Sequence, residues 1–437
     1  MNKDFQSAYM DAFAVSRKCL PGQGVGWLDA LRSRAIERFG EAGFPTPRDE
    51  MWKFTNLRPL TRQTFTLAPR RENSVTLEDL SPHLPDGLAC YRMVFVDGHY
   101  RADLSNFGDL PRGVHLSSLA QTLESDADSV RPYITDHGDS PAALNTAFMS
   151  DGAVLTIDEN ITLDRPVHLL YLATAGEDAQ LSHPRSLIVA HAGSHATVIE
   201  SYAGAAGAAN IYWTNAVTEV IVEGDASLKH VKFQNEGHAG FHLAATRVRI
   251  ETGATYDSFV AQLGARLARN EIVASLDGEH ATCRLKGLFL GRGKQHLDST
   301  TLVDHAKPSC HSDEFYKGVL DGDAHGVFQG KIIVRPDAQK TDAHQLSNNL
   351  LLSKTAQVDT KPELEIYADD VQCSHGAATG ELDADALFYM RARGLDAAEA
   401  QRMLVKGFIG EIVGTIELPE LAAHMERCVA AWLARGE

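Results

Sequence analysis

Hydrophobic and polar positions divide the chain into three stretches of different period. In the first ninety residues Trp27, Leu28, Leu31, Ala35, Ile36 and Phe39 recur at helical spacing with charged residues between them, which predicts an amphipathic helix capped at Gly40. From Tyr91 the period shortens. Arg92 to Val96 followed by Asp97-Gly98 predicts a hairpin, because that dipeptide accepts the two positive φ angles of a type I′ turn. A short helical segment is expected around Leu116 to Leu123. Beyond Asp151 come brief runs rich in Val, Ile, Leu and Thr: Ala153 to Ile157, Leu187 to Ala190, Val220 to Val222, Arg247 to Glu251, Lys331 to Val334 and Glu363 to Ala368. Each is too short for an ordinary helix and reads as strand.

After Gly380 the helical period returns. Leu382 to Arg393 predicts one helix ending at Gly394, and Asp396 with Glu399 forms a capping box for a second, with Ala400, Met403, Leu404, Ile412 and Val413 on its apolar side. In the last helix Leu421, Met425, Cys428, Val429 and Trp432 fall on a single stripe, which packs on the parent domain or receives a partner.

Between the strand runs a small-residue turn recurs around Ala196, Ala226, Ala254, Ala281 and Ala324. The steps between these alanines are 30, 28, 27 and 43 residues. Near-equal steps with one insertion fit a stacked β-solenoid in which each coil gives one small residue to the same corner. A propeller needs four strands in each period, which such steps can scarcely hold.

Composition narrows the function. The 437 residues are 44% hydrophobic and 23% charged, which excludes wholesale disorder. A net charge of −17 without a basic run disfavours nucleic acid and repels anionic membranes. No unbroken apolar stretch suits a signal peptide or a membrane span, so a cytoplasmic protein is expected. Cys19, Cys90, Cys283, Cys310, Cys373 and Cys428 form no CxxC pair and are expected to be free thiols.

Few motifs carry chemistry. Gly293-Lys294 lacks the rest of a phosphate-binding loop, and Gly22-Gln-Gly24-Val-Gly26 does not follow a strand, so the chain is not expected to hydrolyse ATP. Neither a G-x-S-x-G elbow nor an H-E-x-x-H helix is present. Three histidine groupings invite a metal reading: His238 with His242, His305 and His311 about Cys310, and Cys373 with His375. The last is favoured, since side chains two apart share one face of a strand and Asp369 and Asp370 lie on the approach to it. A segment from Gly43 to Phe54, with Pro45, Pro47, Trp52 and Phe54, reads as a shaped docking loop or a small satellite core.

The stretch from Lys317 to Arg393, with Gly326-Val-Phe-Gln-Gly330, Ala338-Gln-Lys-Thr-Asp342 and Cys373-Ser-His-Gly376, resembles the SufBD family of iron-sulfur cluster assembly proteins. The Phe44 to Phe54 element and the Val303 to Cys310 run are similar to further family blocks. The resemblance implies a mainly β fold, a right-handed parallel β-helix over 91–382, flanked by an N-terminal helical domain (1–90) and a C-terminal one (383–437). It implies a scaffold rather than an enzyme, paired with a SufB-like homologue through the β-helix and carrying a SufC-like ATPase on the C-terminal helices. On those helices Phe388, Tyr389, Met403 and Phe408 are the candidate contacts.

In the SufB branch the main cluster-building cysteine is taken to precede the strand that here begins after Lys354 to Pro362, a segment without a thiol. That departure, with Cys373-Ser-His-Gly376 in place of an acidic His-Glu pattern, favours the SufD branch. The resemblance carries over His375 as a metal or cluster ligand, or an essential polar group at the interface, and Cys373 as its less certain neighbour. No tightly bound cofactor is expected, only iron or an iron-sulfur cluster in transit. A homodimer in isolation, a ligand-free platform subunit and a carbohydrate-active β-helix enzyme are the alternatives.

Overall fold

Strands buried on both faces read as plain apolar runs, and such strands pair in parallel. The computed structural model describes residues 2–71, 75–136, 138, 140–174, 176, 178–205 and 211–434. It contains two sheets, of 11 and 10 strands, between which the chain alternates. The first carries Ala153–Ile157, Arg185–Ala190, Tyr212–Val222, Phe241–Ile250, Leu267–Leu276, His296–His305, His325–Val334 and Gln357–Ile366 in spatial order. The second carries Val167–Ala173, His195–Gly204, Ser227–Asn235, Thr255–Gln262, Thr282–Gly291, His311–Leu320, Asp342–Leu351 and Gln372–Gly380. Each of these strands lies parallel on the one a coil earlier, which makes a β-solenoid of about seven turns.

The strands outrun the apolar segments that announced them. Lys331 to Val334 is the end of a 10-residue strand, His325–Val334. A parallel ladder is held by backbone groups, so polar residues extend it wherever their side chains find partners inside. Between sheets, equivalent residues stack coil on coil: Phe95, Tyr171 and Tyr202 are successive ladder partners, with ring centroids 4.7 and 4.8 Å apart and nearly parallel planes.

The predicted hairpin is present, with Asp97 and Gly98 both at positive φ between Tyr91–Val96 and His99–Tyr100. The helical interlude instead begins as strand Val114–Ser118 and becomes helix only at Leu119–Ser125. The repeat needs a larger correction. Ala226, Ala254 and Ala281 do occupy one corner, each immediately before a second-sheet strand, but the next coil places Cys310 there and the following one Thr341. Ala324 opens a first-sheet strand on another corner, so the 43-residue step joined two different corners. Each of these turns has one residue in the left-handed region, Asp225, Gly253, His280, Ser309 and Lys340 in turn. Its N–H donates to a carbonyl of the next coil, as Asp225 to Thr252 at 2.9 Å and Ser309 to Gln339 at 2.8 Å.

The helices cover the sides of the solenoid. Gly26–Ala42 buries Leu28, Leu31, Ala35, Ile36 and Phe39 as predicted, but runs past Gly40 and is capped by Gly43 at φ 66°, a conformation that favours glycine. With Asn2–Ser16 and Ser140–Phe148 it packs on outward residues of the first sheet such as Trp213 and Phe241. At the C-terminus, Ala397–Val413 and Pro419–Ala434 bury Val405, Ile409, Leu421, Met425, Val429 and Trp432 against Val231, Phe259, Leu288 and Val319 of the second sheet. The last apolar stripe thus packs on its own domain.

Candidate functional site

The solenoid is uncapped at its final coil. Gln357–Ile366 and Gln372–Gly380 each pair on one side only, and every residue in them is half-buried or exposed. Pro362 lies in the first of these strands, where the N–H it lacks is not required by a further ladder. Two open edges of this length are a template for pairing with another chain.

Cys373 and His375 both lie on the final strand and share its inward face, as their spacing predicts. Cys373 is half-buried against the interior core. Burial, with Asp342 adding repulsion, pushes its thiol up, so it is no ready thiolate. His375 is exposed at the mouth of the interior and has no hydrogen-bond partner among the described residues. Asp369 and Asp370 are exposed on the corner before the strand, where the Asp370 carbonyl accepts the Lys340 N–H at 2.6 Å; among the described residues neither carboxylate forms a hydrogen bond or ion pair with His375.

Behind His375 stands a polar column that hydrophobic patterning does not reveal. Glu314, Gln345 and His375 are successive ladder partners, one per coil. Glu314 is fully buried; it accepts from the Thr301 hydroxyl at 2.5 Å and from the Gln345 amide at 3.2 Å, and no cation among the described residues pairs with it. Burial pushes its carboxyl up to about 7. The steps of 31 and 30 residues equal the coil period, which is the signal in the sequence that could have found both residues.

The other histidine groupings dissolve. His238 is exposed in a turn, whereas His242 is fully buried with Nδ1 2.8 Å from Glu236. His305 is buried on Ser312, and burial pushes it down to about 4, while His311 faces out to Asp342. Cys310 between them points to the Gly278 carbonyl at 3.2 Å. Alternate side chains of a strand face opposite ways, so residues on either side of a corner or parity change cannot converge. Among the described residues no three His, Cys, Asp or Glu groups are placed to hold a metal.

Phe388, Tyr389 and Met403 are exposed on the C-terminal helices, at 74%, 59% and 49%. Phe408 is not free with them: it packs on the solenoid under the Lys317 ammonium. The segment from Phe44 to Thr55 runs along the outside of the first sheet toward the open coil. Phe44 is buried by Trp213, Trp52 lies 4.1 Å beneath the Arg269 guanidinium, and Glu50 ion-pairs with Lys361 of the terminal strand. It is docked on its own chain.

Comparison with known proteins agrees with this arrangement. Residues 171–408 match the family described as SUF system FeS cluster assembly, SufBD core domain, and residues 3–169 match the SufBD protein N-terminal region. An iron-sulfur cluster assembly SufBD family protein of Synechocystis is 32% identical over 408 residues, covering 91% of this chain and 90% of that protein. The iron-sulfur cluster assembly protein SufD of Escherichia coli is 31% identical over 397 residues, 86% of each. The chloroplastic protein ABCI7 of Arabidopsis is 30% identical over 397 residues, covering 88% of this chain and 82% of the other.

Proposed function

The chain belongs to the SufBD family of SUF-system iron-sulfur cluster assembly proteins, and from that premise we propose that it is a non-catalytic assembly subunit. It pairs with a SufB-like homologue through its terminal coil and carries a SufC-like ATPase on its C-terminal helices. His375 meets iron or a nascent cluster where the two solenoids join. The observation that carries this reading is the open end of the solenoid, with two edge strands each paired on one side only around an exposed imidazole that has no hydrogen-bond partner among the described residues.

An imidazole is an acceptable nitrogen ligand beside thiolates. The raised Cys373 thiol leaves those thiolates to come from the partner chain. Phe388, Tyr389 and Met403 give the ATPase an apolar contact on the same side as the second sheet. A nucleotide-driven change in that partner would reach the open coil through the helices packed on the solenoid. The six cysteines are free of disulfides, which suits a cytoplasmic setting, and no helix among the described residues is long and apolar enough to cross a membrane.

The test is reconstitution with a SufB-like chain and a SufC-like ATPase. The three are expected to co-purify, and His375→Ala is expected to lower cluster yield with the complex intact. Failure to co-purify overturns the pairing; normal yield from the intact variant complex reduces the chain to a platform without ligands.

A further inference from the structure

The Gln345 amide is 98% buried, by its 2% exposure, and is satisfied at one end only. Its Nε2 donates to Glu314 at 3.2 Å, whereas its Oε1 is buried without a partner. A buried carbonyl oxygen left unpaired forfeits the hydrogen bonds it made to water, so such a group calls for an explanation. The next residue in the same inward column, one strand spacing of about 4.8 Å away, is His375, whose ring also lacks a hydrogen-bond partner among the described residues. An orphan acceptor and an imidazole N–H are complementary.

The surroundings hold the amide in that orientation. Glu314 Oε2 accepts from the Thr301 hydroxyl and its Oε1 from the Gln345 Nε2, so the nitrogen end of the amide faces Glu314 and the oxygen is left for the other side. Opposite Gln345, the first-sheet strand carries Gly330. A Cβ there would lie 2.0 Å from Gln345 Nε2, so the absence of a side chain at 330 makes the room the amide occupies.

We propose that Gln345 is a positioning residue for His375: the imidazole, exposed and without a partner among the described residues, turns inward so that one ring N–H donates to the Gln345 Oε1, and the opposite ring nitrogen is left bare to meet the cargo. Glu314 holds the amide from behind. The inference rests on the reading of His375 as the residue that meets iron or cluster. It assigns to Gln345 the part that outer-shell carbonyls and carboxylates play behind ligating histidines, fixing which nitrogen is protonated.

The test is nitrogen-15 NMR of the full-length chain labelled in histidine, with His375 assigned by comparison with His375→Gln. In the wild type one ring nitrogen of neutral His375 is expected to be held protonated, giving widely separated shifts. Gln345→Leu is expected to move both shifts toward those of free histidine, and Gln345→Glu, which keeps an acceptor oxygen, to restore the separation. Gly330→Ala displaces the amide without altering its chemistry and is expected to act as Gln345→Leu does, so the question stays answerable if the leucine variant does not fold. In the reconstituted complex Gln345→Leu is expected to weaken ferrous iron binding about tenfold. Wild-type shifts that already equal those of free histidine, or that ignore both variants, overturn the inference. If the shifts respond to Gln345 yet His375→Ala leaves cluster yield normal, the positioning stands and the reading of His375 falls instead.

Discussion

Lys317 and Phe408 join the solenoid to the C-terminal helices through two contacts at once. The ammonium donates to the Phe408 carbonyl at 2.8 Å and lies 4.3 Å from the centre of the Phe408 ring. The same nitrogen donates to Glu411 at 2.5 Å, and only 3% of the lysine side chain is exposed. A buried cation is tolerable when its hydrogens are satisfied, and here the one helix Ala397–Val413 supplies both acceptors. Lys317→Met keeps the apolar stem and removes the charge. It is expected to cost about 2 kcal/mol, since hydrogen bonds to charged groups contribute about 1.5–3. Hydrogen exchange should quicken over Ala397–Val413 and Pro419–Ala434 and stay unchanged in the solenoid strands.

Glu314 gives stability a pH dependence of unusual sign. Its folded pKa of about 7 lies above the ordinary glutamate value of about 4.3, so the folded chain binds the extra proton between them. The group's contribution is full below the lower value and is lost as pH rises to about 7. Glu314→Gln removes that dependence. Urea unfolding is expected to show the wild type losing on the order of 2 kcal/mol relative to the variant between pH 4.5 and pH 7.5.

Buried histidines act in the opposite direction. Burial pushes His168 and His183 down to about 3, and His296 and His305 to about 4. Groups held neutral in the folded state contribute stability that is present above about 6.5 and lost as pH falls toward those values. The protein is therefore expected to melt at progressively lower temperature from pH 6.5 to pH 5. His305→Gln should flatten the slope, and an unchanged slope in that variant would remove His305 from the account.

The open edge is expected to respond to charge. Ser374 and Ala378 face outward on the final strand, by alternation with Cys373 and His375. Introducing lysine at both positions places like charges along the pairing edge, a device that blocks strand-to-strand association. Light scattering should show loss of any self-association and of capture by a SufB-like chain, with the melting temperature within a few degrees of the wild type.

Cys373 and His375 should part company in function. Cys373→Ala removes a half-buried sulfur from the end of the core and is expected to cost about 1 kcal/mol, with cluster yield in the reconstituted complex preserved. A collapse of yield equal to that of His375→Ala would make the thiol a ligand despite its burial.

How much of this was legible in the sequence depended on where the determining interactions lie. Periodicity located the helices, because an amphipathic stripe such as Leu421 to Trp432 needs only one apolar surface to pack on. It found the strands but cut them short, as at Lys331 to Val334, because inward Gln, Ser, Thr and Asn side chains satisfied within the solenoid look the same in sequence as solvent-facing ones. The repeat was visible at Ala226, Ala254 and Ala281 and was lost where Cys310 took the corner, since a free thiol fills a small apolar site as well as alanine does.

Of the candidate site, the shared face of Cys373 and His375 followed from strand alternation alone. Its setting did not. That His375 stands at an open mouth, that Cys373 is drawn into the core, and that Glu314 and Gln345 stand behind the imidazole are set by stacking register across coils some 30 residues apart. The sequence by itself determined the periods, the turn chemistry and the residue types able to do this work. Only the tertiary structure decided which of 19 histidines face inward, which lose their charge to burial, and which one is left unpaired where the ladder stops, because hydration and hydrogen-bond satisfaction belong to the packed coil and not to any segment of chain.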